Sequence, residues 1–411
     1  MTDRRAFDDA WRGVARGDPA YRRIVTALFA AGFATFAQVF DAQAVLPALR
    51  SDFEVPTATA ALSVSVTTIG LAISVLPWAS VADRIGRTTA MKYSLLFATA
   101  LSLAVPLMPT FETVLLARGL VGLALGAVPA IAVAYLAEEL DGAWVTVAAG
   151  TYVAGNTVGG ITGRLVAGPL AETVGWRLGL LAVALLGAVA ALVFWLLVPV
   201  PRGFAGPVPG GPSLRMRIVG NLRDLTMLAL FAQGFLLLGA FSVVYNYLSF
   251  HITGAPFFVP ETLVSLLFLA YLAGTVASRL SGGLVARFGA LRVILCGIAV
   301  MIVGVGLMFS TVLPVVVLGL VVFTVGCFSA HPVASGLSGR WARVGRAQAT
   351  ALYQLSWLGG TAFFGWAVGV VYDRFGWEWT LAAVIGMCVV SAGVAVLGLG
   401  LLVGRRPAPA V

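Results

Sequence analysis

Three ionisable side chains, Asp41, Arg118 and Arg164, stand inside long apolar stretches, each about five to seven residues from the same end of its stretch. An unpaired carboxylate in such surroundings is costly, so Asp41 needs either a cation or a proton. A carboxyl that exchanges one for the other does the chemistry of proton coupling, because protonation breaks an ion pair and biases two conformations. A permanently paired structural bridge is the alternative use of the same groups. Two cations facing one carboxylate also leave positive charge over, which suits an anionic substrate, and the sequence does not separate these uses. His331, just before Pro332, has an ionisation range suited to relaying protons; equally, its ring can bridge a carbonyl freed by that proline.

Uncharged polar and aromatic residues in apolar surroundings form a second group. Gln38, Gln43, Asn156 and Asn246 carry amides that are hard to place in lipid and are expected to line a substrate cavity. Tyr245, Tyr353, Gln354 and Trp357 are expected beside them, since amphipathic aromatics hold flat organic molecules by face contact; interfacial anchoring is their other use. Arg279, near the end of a stretch, is expected to extend toward the interface. Enzymatic chemistry has no footing: there is no H-E-x-x-H, no H-x-x-x-x-D and no Cys/His pair with ligand spacing. No metal or other cofactor is expected. A G-x-x-x-x-G-K-[ST] loop is absent, and the single lysine, Lys92, follows Met91, so an ion gradient rather than ATP is the expected energy source. Cys296, Cys327 and Cys388 fall singly in apolar runs and read as small hydrophobes.

The elements that position these residues are legible in the composition. The chain is 60% hydrophobic and only 10% charged, which points to helices crossing a bilayer at about 20 apolar residues each. Apolar runs fall at 24–48, 59–81, 89–108, 113–137, 144–170, 177–199, 224–249, 261–283, 291–310, 312–338, 346–371 and 378–403. The expected organisation is a tail (1–23), a six-helix half (24–199), a Pro- and Gly-rich linker (200–223), a second six-helix half (224–403) and a short tail (404–411). Of the 26 cations, twenty lie in the tails and in the loops on their side, against three, Arg50, Arg177 and Arg374, in the opposite loops. By the positive-inside rule both termini are cytoplasmic, and the net charge of +9 follows the membrane rather than nucleic acid. The first apolar stretch is too long for a signal-peptide core, so it is expected to remain attached. Twenty-five arginines with abundant Ala, Gly and Val suggest a high-GC source and a bacterial inner membrane.

The two halves repeat. Pro129 falls on Pro332, Arg84 and Gly86 on Arg287 and Gly289, Gly159-Gly160 on Gly359-Gly360 and Gly175-Trp176 on Gly376-Trp377, at offsets of 203, 203, 200 and 201. Sparse residue types at a nearly constant offset argue for halves related by an axis along the membrane normal, with a cavity between them. Between the second and third stretches the chain reads Ala79-x-x-x-Asp83-Arg84-x-Gly86-Arg87-Thr88, the fourth carries Arg118-x-x-x-Gly122-x-x-x-Gly126, and the fifth carries Gly155-Asn156-x-x-Gly159-Gly160. The glycine repeats read as close helix contact.

These motifs resemble those of the major facilitator superfamily; the first departs from its G-x-x-x-D-R-x-G-R-[RK] pattern at Ala79 and Thr88. Tyr135 to Glu139, Gly155 to Arg164, Ala330 to Ser335 and Asn246-Tyr247 are similar to the YnfM-like branch of efflux permeases. The resemblance implies an all-α integral membrane fold with twelve transmembrane helices in two pseudo-symmetric halves, working by alternating access as a monomer. It places spans 1, 4 and 5 in one half, which suggests an Asp41 cluster with one or both arginines. It also implies a gating loop in which Asp83 caps the start of span 11 near Ala347 while Arg84 and Arg87, around Gly86, pair with Glu138 and Glu139. The expected function is proton-coupled efflux of small organic or amphipathic compounds, as in twelve-span drug:proton antiporters. An importer, uniporter or anion porter of a small polar metabolite is the nearest alternative, and a receptor that binds without transporting is a more distant one.

Overall fold

The computed structural model describes residues 13–203 and 214–401. The first part of the N-terminal tail, the linker prolines Pro207, Pro209 and Pro212, and the 404–411 tail lie outside them. Among the described residues the architecture is helical: α1 (Pro19–Phe40), α2 (Leu46–Phe53), α3 (Thr57–Ile85), α4 (Arg87–Ala104), α5 (Phe111–Leu125), α6 (Ala127–Glu139), α7 (Gly142–Val174) and α8 (Trp176–Leu197) make the first half. After α9 (Leu214–Leu222), the second half comprises α10 (Leu225–Thr253), α11 (Glu261–Ser265), α12 (Ala270–Phe288), α13 (Ala290–Leu307), α14 (Leu313–Trp341), α15 (Arg346–Phe375) and α16 (Trp377–Ala395). Within the 200–223 linker the structure adds α9, a nine-residue helix.

Local chemistry sets the helix ends. Asp18 accepts from Ala20 N at 2.7 Å with Pro19 in the first turn of α1, and Asp141 and Asp224 cap α7 and α10 in the same way. The tight turns at Gly86, Gly175, Gly289 and Gly376 have φ of 91°, 94°, 84° and 82°, a region that glycine enters without a Cβ clash. These are the glycines that the repeat aligned, so the internal symmetry of the sequence is a symmetry of turns.

Eleven of the described helical stretches are long and apolar enough to cross a membrane. The twelfth long helix, α7, is not among them, because Gly, Thr, Asn156 and Arg164 dilute its apolar content. Outward faces are apolar: on α8, Leu178, Leu185, Val189, Leu192 and Leu196 are all exposed and recur at helical spacing, which suits lipid and not water. Inside the first half, α7 lies against α1 so closely that a Cβ on Gly159 would run into the backbone of Phe33, and Gly122 on α5 meets the carbonyl of Thr67 on α3 in the same manner. Where lipid offers no hydrophobic drive between helices, such backbone approach supplies the packing.

Span 1 differs from expectation. It does not end near residue 48 but continues to Phe53, and it is broken by a 3-10 turn over Asp41–Val45 between α1 and α2. Asp41 therefore sits at a helix discontinuity in mid-span. Span 7 also runs further than expected, to Thr253, so His251 joins His331 as a histidine inside a long helix.

Candidate functional site: an ion pair behind an aromatic cavity

The break in span 1 creates the first part of the site. Ending α1 at Phe40 frees the carbonyls of its last turn, and Arg118 on α5 collects two of them: Nη1 donates to Gln38 O at 3.4 Å and Nη2 to Val39 O at 3.2 Å. Its Nε donates to Ser63 O on α3 at 3.2 Å, and Nη1 reaches Asp41 Oδ1 at 2.5 Å. Asp41 Oδ1 also accepts from Ala42 N at 2.7 Å. Both side chains are almost wholly buried, so the charges are compensated by each other and by main-chain dipoles rather than by water. Because three carbonyls hold the guanidinium independently of the carboxylate, neutralising Asp41 leaves Arg118 with partners.

Arg164 belongs to a different cluster. Its Nε donates to Gln43 Oε1 at 2.8 Å, Nη1 to Gly160 O at 2.7 Å and Nη2 to Tyr271 Oη at 3.2 Å. The guanidinium carbon lies 4.7 Å, 4.8 Å and 5.0 Å from the ring centres of Phe40, Phe268 and Tyr271. Among the described residues no carboxylate forms an ion pair with it, so direct pairing with Asp41, entertained from sequence for both arginines, holds for Arg118 alone.

Gln43 links the two clusters and the two halves. It stands in the same 3-10 turn as Asp41, accepts from Arg164, and donates from Nε2 to Asn246 Oδ1 on α10 at 2.6 Å. A shift of that turn therefore reaches both a cation of the first half and an amide of the second.

Above these groups lies a cavity of about 240 Å³ between the halves. Phe36, Phe40, Gln43, Asn156 and Arg164 line it from the first half, and Phe241, Tyr271, Phe328, His331 and Trp357 from the second. His331 Nδ1 is 2.8 Å from Tyr353 Oη, whose hydroxyl is also 3.1 Å from the His331 carbonyl. Of the residues expected to line a cavity, Gln43, Asn156 and Trp357 do so. Tyr245, hydrogen-bonded to Thr324 at 2.8 Å, and the buried Gln38, Asn246 and Tyr353 stand outside its lining, as does Gln354. Asp41 and Arg118 also lie behind the wall, one layer from the cavity.

In the gating loop the expected pairing of Arg87 with Glu138 forms, while Asp83, Arg84 and Glu139 are placed differently from expectation. Arg87 donates to Glu138 at 3.0 Å and to Asp83 at 2.7 Å. Asp83 is thus bound within its own half, and the start of α15, at Gly345, has no side-chain cap. Arg84 is exposed. Glu139 takes neither loop cation; its Oε1 accepts from the backbone of Arg202 and Gly203, each at 2.7 Å, and anchors the start of the linker. Arg279 is exposed on α12.

At the opposite end of the bundle, two carboxylates that sequence reasoning missed join the halves. Asp373, at the end of α15, accepts from Thr57 N at 3.1 Å and Ala58 N at 2.8 Å at the start of α3. Glu172, at the end of α7, accepts from Thr262 N and Oγ1, both at 2.6 Å, at the start of α11. The N-caps of the receiving helices are Pro56 and Pro260, which provide no side-chain cap of their own. Among the described residues, the hydrogen bonds that join the halves lie at cavity level or at this Gly175 end, not at the Gly86 end.

A family model described as Major Facilitator Superfamily matches residues 24–267 and 254–411. The chain is 34% identical over 378 residues to an uncharacterized MFS-type transporter, YybF, of Bacillus subtilis (strain 168), covering 92% of this chain and 94% of that protein. It is also 34% identical over 405 residues to the inner membrane transport protein YnfM of Escherichia coli (strain K12), covering 98% and 95%. Among solved structures, a bacterial homologue of the human lysosomal transporter Spinster, in an inward-facing and occupied conformation, superposes with a TM-score of 0.79 at 16% identity, covering 96% of this chain and all of that one. The POT family transporter PepTSo gives 0.73 at 13% identity, covering 94% and 99%. At these identities the structural likeness is one of fold.

Proposed function

This chain belongs to the major facilitator superfamily, and from that premise we propose that it is a proton-coupled exporter of small organic or amphipathic compounds, working by alternating access with both termini in the cytoplasm. The observation that carries the proposal is the Asp41–Arg118 pair, buried at the break in span 1 and joined through the Gln43 turn to the opposite half. A proton on Asp41 weakens its bonds to Arg118 and to Ala42 N, in the same 3-10 turn as Gln43, while Arg118 stays satisfied by three carbonyls. The Gln43–Asn246 bridge and the Arg164 contact then loosen together, which makes the protonation state a bias between two arrangements of the halves. Substrate enters the same balance, because Gln43 and Arg164 also line the cavity.

The positive-inside bias puts the Gly86 end in the cytoplasm. Carboxylate caps close the other end, so the arrangement fits a state in which the cavity is sealed from outside. Export as the direction is supported by the similarity of Gly155 to Arg164, on α7, to the efflux-permease branch.

The test uses everted membrane vesicles with and without the protein, energised to an acidic interior and reporting through a pH-sensitive dye. A panel of organic anions, organic cations and sugars is added in turn. A compound that collapses the gradient only in vesicles holding the protein supports exchange for protons. Compounds that exchange by counterflow without proton movement would make the protein a uniporter, and the absence of any counterflow would make it a binding protein.

A further inference from the structure

We infer that the cavity is built for an organic monoanion, whose carboxylate or sulfonate rests on Arg164 and whose apolar body lies among Phe36, Phe40, Phe241 and Phe328. This names the substrate class of the transporter reading above and rests on it only for the identity of the site. The charge inventory is the reason. Asp41 is neutralised by Arg118, so the second buried guanidinium, Arg164, leaves one positive charge without a carboxylate among the described residues. Three ring faces and three hydrogen-bond acceptors hold it in place. All three acceptors are neutral groups, which stabilise a guanidinium less than an anion does in a dry site.

Its donor count leads to the same ligand. A guanidinium has five N–H groups, of which Nε, one on Nη1 and one on Nη2 are used. One N–H remains on each terminal nitrogen, the number that a carboxylate takes in a bidentate pair. The rest of the lining is mainly aromatic and aliphatic, with His331 and Trp357 from the second half, so an apolar body is matched by face contact. A cationic compound in this cavity would face an uncompensated guanidinium across a low-dielectric space and be repelled.

The experiment measures binding to the purified full chain in detergent by equilibrium dialysis with four matched probes: 2-naphthoate, naphthalene-2-sulfonate, 2-naphthamide and 2-naphthylmethylammonium. Wild type is expected to bind the two anions about ten- to a hundredfold more tightly than the amide and to disfavour the cation. Arg164→Gln should abolish the preference for anions, and Arg164→Lys should retain part of it. Equal binding of all four probes by wild type, binding of none, or an Arg164→Gln variant with undiminished anion preference would overturn the inference. Should Arg164→Gln fail to elute as a folded species, the wild-type comparison of naphthoate with naphthamide decides alone. Binding requires no proton movement: anions that bind but collapse no gradient would sink the exporter proposal and spare this one, whereas gradient collapse by cations alone would do the reverse.

Discussion

Glu172 and Asp373 stand at the same point of the two halves, 201 positions apart, and each caps the start of a helix in the half it does not belong to. The offset equals that of the Gly175-Trp176 and Gly376-Trp377 turns that follow them. Asp373 accepts from two N–H groups and Glu172 from one N–H and one hydroxyl, at helix starts that are led by a proline and have no side-chain cap. The two ends of the bundle are therefore not equivalent: one is tied by paired carboxylate caps, while at the other Asp83 and Arg87 bond within the first half.

If those caps hold their end of the bundle shut, removing them favours opening there. The double variant Asp373→Asn, Glu172→Gln loses both carboxylate caps. Spin labels at Ser51 and Phe258, in a cysteine-free background, are expected to show a longer distance component in the variant than in wild type. An unchanged distribution would show that the caps do not set the conformational balance.

Removing Arg118 should harm the fold more than removing the charge of Asp41. Arg118→Ala leaves a buried carboxylate and three carbonyls without their donor, and breaking a buried pair in this way costs about 3–5 kcal/mol. Asp41→Asn keeps the shape and leaves Arg118 on its carbonyls. Thermal unfolding in detergent is expected to place Arg118→Ala well below both wild type and Asp41→Asn; equal melting of the two variants would contradict the independent hold on the guanidinium.

Gln43 is the mechanical link, so Gln43→Ala should loosen coupling without abolishing movement of substrate. Proton flux per substrate exchanged is expected to fall by about tenfold, the scale of one buried hydrogen bond to a charged group, while counterflow continues. Undiminished stoichiometry would remove Gln43 from the coupling path.

Exchange of one entering proton for one departing monoanion moves two charges in the same sense. A membrane potential of 100 mV, inside negative, then contributes about 4.6 kcal/mol to export. In liposomes carrying a potassium diffusion potential, transport should accelerate when the potential is imposed and slow when valinomycin clamps it at zero. Insensitivity to the potential would contradict this stoichiometry.

Much of the fold was legible because it rests on features with long repeat lengths. Apolar runs gave the spans, and Gly86, Gly175, Gly289 and Gly376 marked the turns because only glycine sits easily at their φ. The geometry joins Asp41 to Arg118, two residues singled out by similar depth in apolar surroundings. Arg164 shared that depth, but depth carries no information about the face of α7 it occupies. That face turns it toward Phe40 and Tyr271 rather than toward Asp41. The 3-10 turn over Asp41–Val45 contains no glycine or proline, and Pro47, in the first turn of α2, is the sequence's one sign of the break. The roles of Glu172 and Asp373 are carried by contacts between the halves, which the sequence shows only through their offset of 201 and through Pro56 and Pro260 at helix starts.

The decisive measurement compares wild type with Asp41→Asn in liposomes that trap a pH-sensitive dye, under an imposed pH gradient and with the same substrate panel. Wild type should couple substrate movement to proton movement and accumulate substrate against its gradient. Asp41→Asn should continue downhill exchange at a comparable rate with no proton flux and no accumulation. Proton-driven accumulation by Asp41→Asn equal to that of wild type would show that Asp41 is a structural bridge and that coupling, if present, resides elsewhere.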